Sequence, residues 1–325
     1  MNLQPWLEDA WRRLSSALIE QRLHHGLLIA APAGFGKRAL AEAFATAALC
    51  MQRGADAHAC GVCRSCLLIA AGSHPDLARI GFELRDDGKP RSEITIDQIR
   101  ALSQRLSMSS QFGGLQIALI DPADRLNANA ANALLKTLEE PTAASVIVLI
   151  ADAPARLPAT IRSRCQRIDI ALPSRAQSLA WLQQQGIDGA RAAGALDASL
   201  GNPGRARDWL GDDTLALRKA CVEDLTALTR GRLTAAEVAE RWTADRPDLR
   251  LWFAAALAGD EAARLGRAEP GMLGLTARSE IPKLAAWFAR ANRARGLLAT
   301  PLRAELVLLD LLRAWPMGEP TAKRA

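Results

Sequence analysis

The chain has 325 residues, 49% apolar and 23% charged, which gives it enough hydrophobic side chains for a full core and excludes a disordered or collagen-like polymer. Net charge is +6 with arginines scattered over the whole length, so charge alone assigns no nucleic-acid or polyanion partner. The longest apolar run, Ala143 to Ala151 broken by Ser145, is far below the ~18 residues of a membrane span, and Glu8, Asp9, Arg12 and Arg13 interrupt any early apolar leader; a cytoplasmic protein of two or three domains is expected.

Leu7, Trp11, Leu14 and Leu18 have helical spacing and predict a helix over 7–23. Gly26 then opens Leu27–Ala30, short and apolar as a buried strand is, and the Gly-rich turn Pro32-Ala-Gly-Phe-Gly-Lys37 leads into an Ala-rich helix ending near Cys50. A cysteine-rich stretch and a turn around Asp86–Pro90 follow. Asp97 is placed to cap a helix through Met108, and Gly113-Gly114 turns the chain into a second buried strand, Ile117–Ile120, ending in Asp121. The next helix runs from about Asn127 through Leu134, Leu135 and Leu138 to a stop at Pro141. Val146–Ile150 reads as a third strand and Ile168-Asp-Ile170 as a candidate fourth.

Apolar strands alternating with helices predict an α/β layout, a parallel sheet covered on both faces. From Pro173 onward the pattern is all-α, with Leu302, Leu306, Leu309 and Leu312 as a late apolar stripe. The expected division is a sheet-bearing core over 1–166 with a cysteine insert at about 50–80, a small helical domain over 167–205 closed by Gly201-Asn-Pro-Gly204, and a second helical domain over 206–325.

A phosphate loop reads G-x-x-x-x-G-K-[ST]: backbone N–H groups cradle phosphates, the lysine reaches the β and γ oxygens, and the hydroxyl holds Mg²⁺. Here the aligned residues are Ala31-Pro-Ala-Gly34-Phe-Gly36-Lys37-Arg38. Gly36, the second glycine of the motif, and Lys37 remain, but the first glycine is Ala31 and the metal-holding position is Arg38, a guanidinium with no lone pair to offer Mg²⁺. The partner strand ends in Asp121, and the position of a water-activating glutamate is Pro122, which has no proton acceptor. The two losses point to a degenerate nucleotide site of Gly34, Gly36, Lys37 and Asp121, with ATP binding in doubt. A nucleotide kinase is excluded for want of Mg²⁺ ligation.

Four of the six cysteines form Cys50-x9-Cys60-Gly-Val-Cys63-Arg-Ser-Cys66. The two x2 spacings let neighbouring sulfurs converge on one ion, and four thiolates make a closed tetrahedral zinc site, which is structural because no coordination position stays open. Redox-active cysteines and an iron–sulfur cluster are the competing readings. His58 and His74 are spare ligands in principle.

The strings Asn132-Ala-Leu-Leu-Lys-Thr-Leu-Glu-Glu-Pro141 and Ile161-Arg-Ser-Arg-Cys165 closely resemble those of bacterial clamp-loader subunits of the AAA+ class, part of the DNA polymerase III assembly. The resemblance is strong over residues 20–210 and continues beyond only as a helical pattern. It implies an AAA+ parallel-sheet core with a zinc-binding insert, a small helical lid and a C-terminal helical collar that joins subunits into a ring. With the broken phosphate loop, it also implies a subunit that hydrolyses no ATP itself and is an enzyme only as part of a DNA-directed DNA polymerase complex. By resemblance, Arg164 is an arginine finger acting in trans on a neighbour's ATP site, with Arg162 and Arg167 as nearby candidates. The implied partners are tau/gamma-type ATPase subunits, a delta subunit, and the sliding clamp and primed DNA through the complex, with no membrane. Two positions depart from the active members: Gly204 stands where the lid arginine belongs, with Arg205 one residue further, and Ala151-Asp152-Ala153 replaces the polar phosphate sensor. Two alternatives stay open. A motor-type ATPase subunit would need Ser or Thr at 38 and Glu at 122, and a zinc-dependent nucleic-acid-binding module would show salt-sensitive DNA binding.

Overall fold

The computed structural model describes residues 3–316 apart from 86, 143, 270, 274, 276, 277 and 299–301. Asp86 of the expected turn, Ala143 of the apolar run and the end of the 206–325 segment from 317 onward lie outside the described residues. Two compact units are present: one runs to Leu196 and includes Gly201–Arg205, the other holds Asp197–Leu200 and Ala206 onward.

In the first unit, helix α1 (Glu8–Ile19) buries Trp11, Leu14 and Leu18 on one face, as their spacing requires. Strand β1 (Gly26–Ala30) is buried throughout and feeds the phosphate-type loop, after which helix α2 (Lys37–Leu49) starts behind Gly36. Gly36 is in the left-handed region at φ 84°, where a side chain would be strained. Helix α3 (Arg64–Ala70) and strand β2 (Leu77–Ile80) follow. Sequence periodicity misses β2, because a four-residue strand carrying Arg79 is too short to declare a pattern.

Helix α4 (Ile96–Leu106) is capped by Thr95 and not by Asp97. Thr95 and Gln98 form a reciprocal capping box, which leaves Asp97 in the first turn, where its charge complements the positive end of the helix. Then come β3 (Gln116–Ile120), α5 (Ala128–Glu139), β4 (Ser145–Ala151), the short α6 (Ala159–Arg162) and β5 (Gln166–Asp169). Helix α5 is capped by Asn127, whose Oδ1 accepts the Ala130 N–H at 2.9 Å.

The five strands form one parallel sheet in the order β2-β3-β4-β1-β5, so the expected α/β core is present. Ala30 pairs with Ala151 on one side and Asp169 on the other. The residues following β1, β3 and β4 therefore gather at the carboxyl edge of the sheet, where ligands of such folds bind. The chain continues through α7 (Arg175–Gln184), α8 (Gly189–Ala198) and α9 (Pro203–Leu210).

The second unit is helical: α10 (Thr214–Thr229), α11 (Ala235–Ala244), α12 (Pro247–Gly266), α13 (Ile281–Leu297) and α14 (Ala304–Arg313). Its core holds Trp242, Trp287, Phe253 and Trp315, and the three indole N–H groups are satisfied internally: Trp242 on Asp224 Oδ2 at 3.0 Å, and Trp287 on the Leu311 carbonyl and Trp315 on Thr229 Oγ1, each at 2.9 Å. Of the expected late stripe, Leu312 is buried and Leu309 packs partly buried against the core, whereas Leu302 and Leu306 are exposed; α14 buries Leu308 and Leu311 in addition, because the leucine-rich stretch supports two helical faces and packing selects between them.

Candidate functional site

At the carboxyl edge of the sheet the phosphate-type loop is filled by the protein's own side chains. Lys37 is 1% exposed, and its Nζ is bound to Asp152 Oδ1, from the residue after β4. Arg38 Nε donates to Asp121 Oδ2 at 2.6 Å, and its Nη2 lies 3.5 Å from Asp152 Oδ2. Burial pulls the Lys37 pKa below the ordinary lysine value, and the hydrogen bond and charge of Asp152 oppose it. For Arg38, burial works against the charge, but Asp121 and Asp152 outweigh it and hold the pKa above the ordinary value. Burial likewise lowers the pKa of Arg205, with Asp152 opposing.

The loop backbone is covered as well. Asn202 Nδ2 donates to the Ala33 carbonyl at 2.7 Å, Trp6 Nε1 donates to the Phe35 carbonyl at 2.9 Å, and a Cβ at Gly204 would collide with the Gly34 carbonyl. This close approach of two backbones explains glycine at 204, where the lid arginine was expected. Mg²⁺ with a nucleotide does not fit this arrangement. The lysine is already neutralised by a carboxylate, a guanidinium stands in the metal position, and Asp121 Oδ1 is one leftover buried acceptor where Mg²⁺ needs an octahedral oxygen set. Asp152 and Asn202 were not singled out from sequence as partners of the loop. The signal for Asp152 exists only once the strand order is known, since β1 and β4 are sheet neighbours separated by more than a hundred residues.

Arg164 is at the opposite end of the sheet. It precedes β5, and all strands are parallel, so it lies at the amino edge; a Cβ built on Gly26, the first residue of β1, would sit 3.1 Å from the Arg164 carbonyl. Five strand residues separate the two edges by about 16 Å. The guanidinium is 38% exposed. Its Nη2 lies 2.7 Å from Glu139 Oε1, and its Nη1 donates to the Thr160 carbonyl at 3.0 Å. Arg162 is exposed at the end of α6, and Arg167 is paired with Asp169 on β5 at 2.6 Å. Cys165, beside Arg164, has its thiol pushed up to about 11 by burial.

The four clustered cysteines meet. Cys50 follows α2 as its cap, Cys60 and Cys63 lie in the turn, and Cys66 is in α3. All four sulfurs lie within 4.8 Å of one another, with Cys50 Sγ 3.6 Å from Cys60 Sγ and 3.9 Å from Cys63 Sγ. A tetrahedral ion with metal–sulfur bonds of about 2.3 Å requires sulfur separations of ~3.8 Å, so the cluster could hold a metal ion. Backbone N–H groups already point at the sulfurs: Cys60 N to Cys50 Sγ and Cys63 N to Cys60 Sγ, each 3.3 Å. Burial raises the Cys63 thiol, but N–H donors from Cys66 and Met51 prevail and bring it down to about 6, whereas burial and the Cys63 neighbour push Cys66 up to about 12. The two histidines stand apart from the cluster. His58 stacks on Trp11 at 4.6 Å, and His74 Nε2 is hydrogen-bonded to Ser65 Oγ at 2.8 Å, tying the insert to the start of β2.

No helix among the described residues is long and apolar enough to cross a membrane. A family model described as DNA polymerase III, delta subunit, matches residues 6–174. DNA polymerase III subunit delta' of Pseudomonas aeruginosa is 39% identical over 257 residues, 78% of this chain and 75% of that protein. The Escherichia coli (strain K12) subunit of the same name is 36% identical over 224 residues, 68% of this chain and 65% of that one. Among solved structures, a gamma subunit-related protein of DNA polymerase III from Thermotoga maritima is similar at a TM-score of 0.45 and 17% identity, over 96% of this chain and 98% of that chain. With more than half its length matched by the family model and over two thirds aligned to relatives of one name, the chain belongs to the DNA polymerase III subunit delta' family.

Proposed function

We propose that this chain is a non-hydrolysing clamp-loader subunit that lends Arg164 to the ATP site of a neighbouring tau/gamma-type ATPase subunit while the sliding clamp is loaded on primed DNA. The observation that carries this reading is the division of labour across the sheet. The chain's own loop is closed by Lys37–Asp152 and Arg38–Asp121, while the arginine stands at the far edge, too distant to serve that loop.

The chemistry follows from charge. A guanidinium brought to a neighbour's γ-phosphate stabilises the negative charge that develops on the transferred group, an effect of about 10³ to 10⁵ in rate in well-studied cases. Arg is suited to this because it stays charged and presents planar, forked donors. In the same reading the four thiolates hold a structural Zn²⁺, residues 167–205 act as the lid, and residues 206–325 form the collar that joins this chain to its ATPase neighbours and a delta subunit. The cytoplasm is where such an assembly meets DNA.

The test is ATP turnover by the purified chain, by motor-type subunits, and by both together. The expected result is no turnover from this chain and stimulated turnover from the mixture. Hydrolysis by the chain alone would overturn the reading.

A further inference from the structure

We propose that Glu139 is a positioning residue for Arg164: it holds the guanidinium ordered at the exposed edge of the sheet until a phosphate takes the place of the carboxylate. The inference rests on the arginine-finger reading above and deepens it. Glu139 Oε1 lies 2.7 Å from Nη2 while the Thr160 carbonyl accepts from Nη1 at 3.0 Å, so the two arms of the fork are pinned from two different elements, the end of α5 and the start of α6. Two of the five guanidinium N–H donors are spent in this way, leaving the others for an incoming anion. The Glu139 side chain is 48% exposed, so the ion pair is weak and screened by salt, and it can be exchanged for the higher charge of a triphosphate.

The position of Glu139 in its helix supports the same assignment independently. It is the last residue of α5 and is followed by Glu140 at the cap. Two carboxylates at the negative end of a helix run against its dipole, where a cation would be favoured. Such breaches of a local rule are expected where a residue serves a site and not its own helix. The arginine opposite offsets the breach, and in return it loses the rotamer freedom that would otherwise have to be removed when the neighbour docks.

The test uses the clamp loader reconstituted from motor-type subunits, a delta subunit and this chain, with assembly of every variant checked by size-exclusion chromatography and MgATP hydrolysis measured over a range of ATP. Glu139→Ala is expected to lower kcat by about 3- to 10-fold with KM unchanged. Glu139→Gln, which keeps an acceptor oxygen at the same place, is expected to retain most of the rate. Adding Glu139→Ala to Arg164→Ala should cost nothing further, because the positioned group is already gone. Glu139→Ser carries the same expectation as Glu139→Ala and replaces it should that variant fail to assemble. A wild-type rate in Glu139→Ala, a change in KM alone, or an additional loss in the double variant would overturn the positioning role while leaving the finger in place. An unchanged rate in Arg164→Ala would overturn the finger itself, and this inference with it.

Discussion

Replacing Asp152 by alanine removes the counter-charge of an ammonium group that is 1% exposed. Breaking a fully buried ion pair from one side costs about 3–5 kcal/mol, but the Asp152 side chain is 36% exposed, and solvent screening reduces this to about 1–3 kcal/mol near neutral pH. The sign of the pH dependence follows from Lys37. Burial already holds its folded-state pKa below the unfolded value, and without Asp152 to oppose burial it falls further. Between the folded and unfolded pKa values the unfolded chain then binds more protons, so the variant gains stability as pH rises and its deficit narrows as the unfolded lysine value is approached. Urea unfolding at neutral and alkaline pH, with hydrogen exchange over α2 as the local readout, measures both effects. The double variant Lys37→Met/Asp152→Ala should recover most of the loss, because no charge is left buried. A wild-type midpoint in Asp152→Ala, or a deficit that does not change with pH, would refute the closed-loop reasoning.

Elemental analysis of the purified chain is expected to return about one zinc per molecule, and a chelator strong enough to strip it should expose amides of α3 to exchange; a metal-free chain of unchanged stability, or iron–sulfur absorbance, would contradict this. Gly204→Ala should destabilise by about 1–3 kcal/mol in thermal unfolding, because the new methyl meets the Gly34 carbonyl. Gly194→Ala, a helical glycine with open space around it, is the control and should be neutral or slightly stabilising.

The apolar strands β1, β3 and β4 are legible in the sequence because each is a buried run between turn signals, and the cysteine cluster because its two x2 spacings let neighbouring sulfurs converge. Lys37, Arg38 and Asp121 are likewise found by motif. Their pairing is not, since Lys37 and Asp152 meet only through the order in which strands line up, which periodicity does not carry. Thr95 and Asp97 are both good cap residues, and Gln98 decides between them by closing the box with Thr95. Helix α14 offers leucines on two faces, so its buried side is set by tertiary packing. Glu139 stands inside a string read for its family resemblance, and only the fold places it against Arg164.

Hydrolysis at a single ATP site tests the account most directly: a clamp loader in which only the site facing this chain is left competent, carrying either wild-type chain, Arg164→Ala or Arg164→Lys. The account predicts a loss on the order of 10³-fold for alanine, and little rescue by lysine, which lacks the planar fork. A rate equal to wild type in the alanine variant would contradict it.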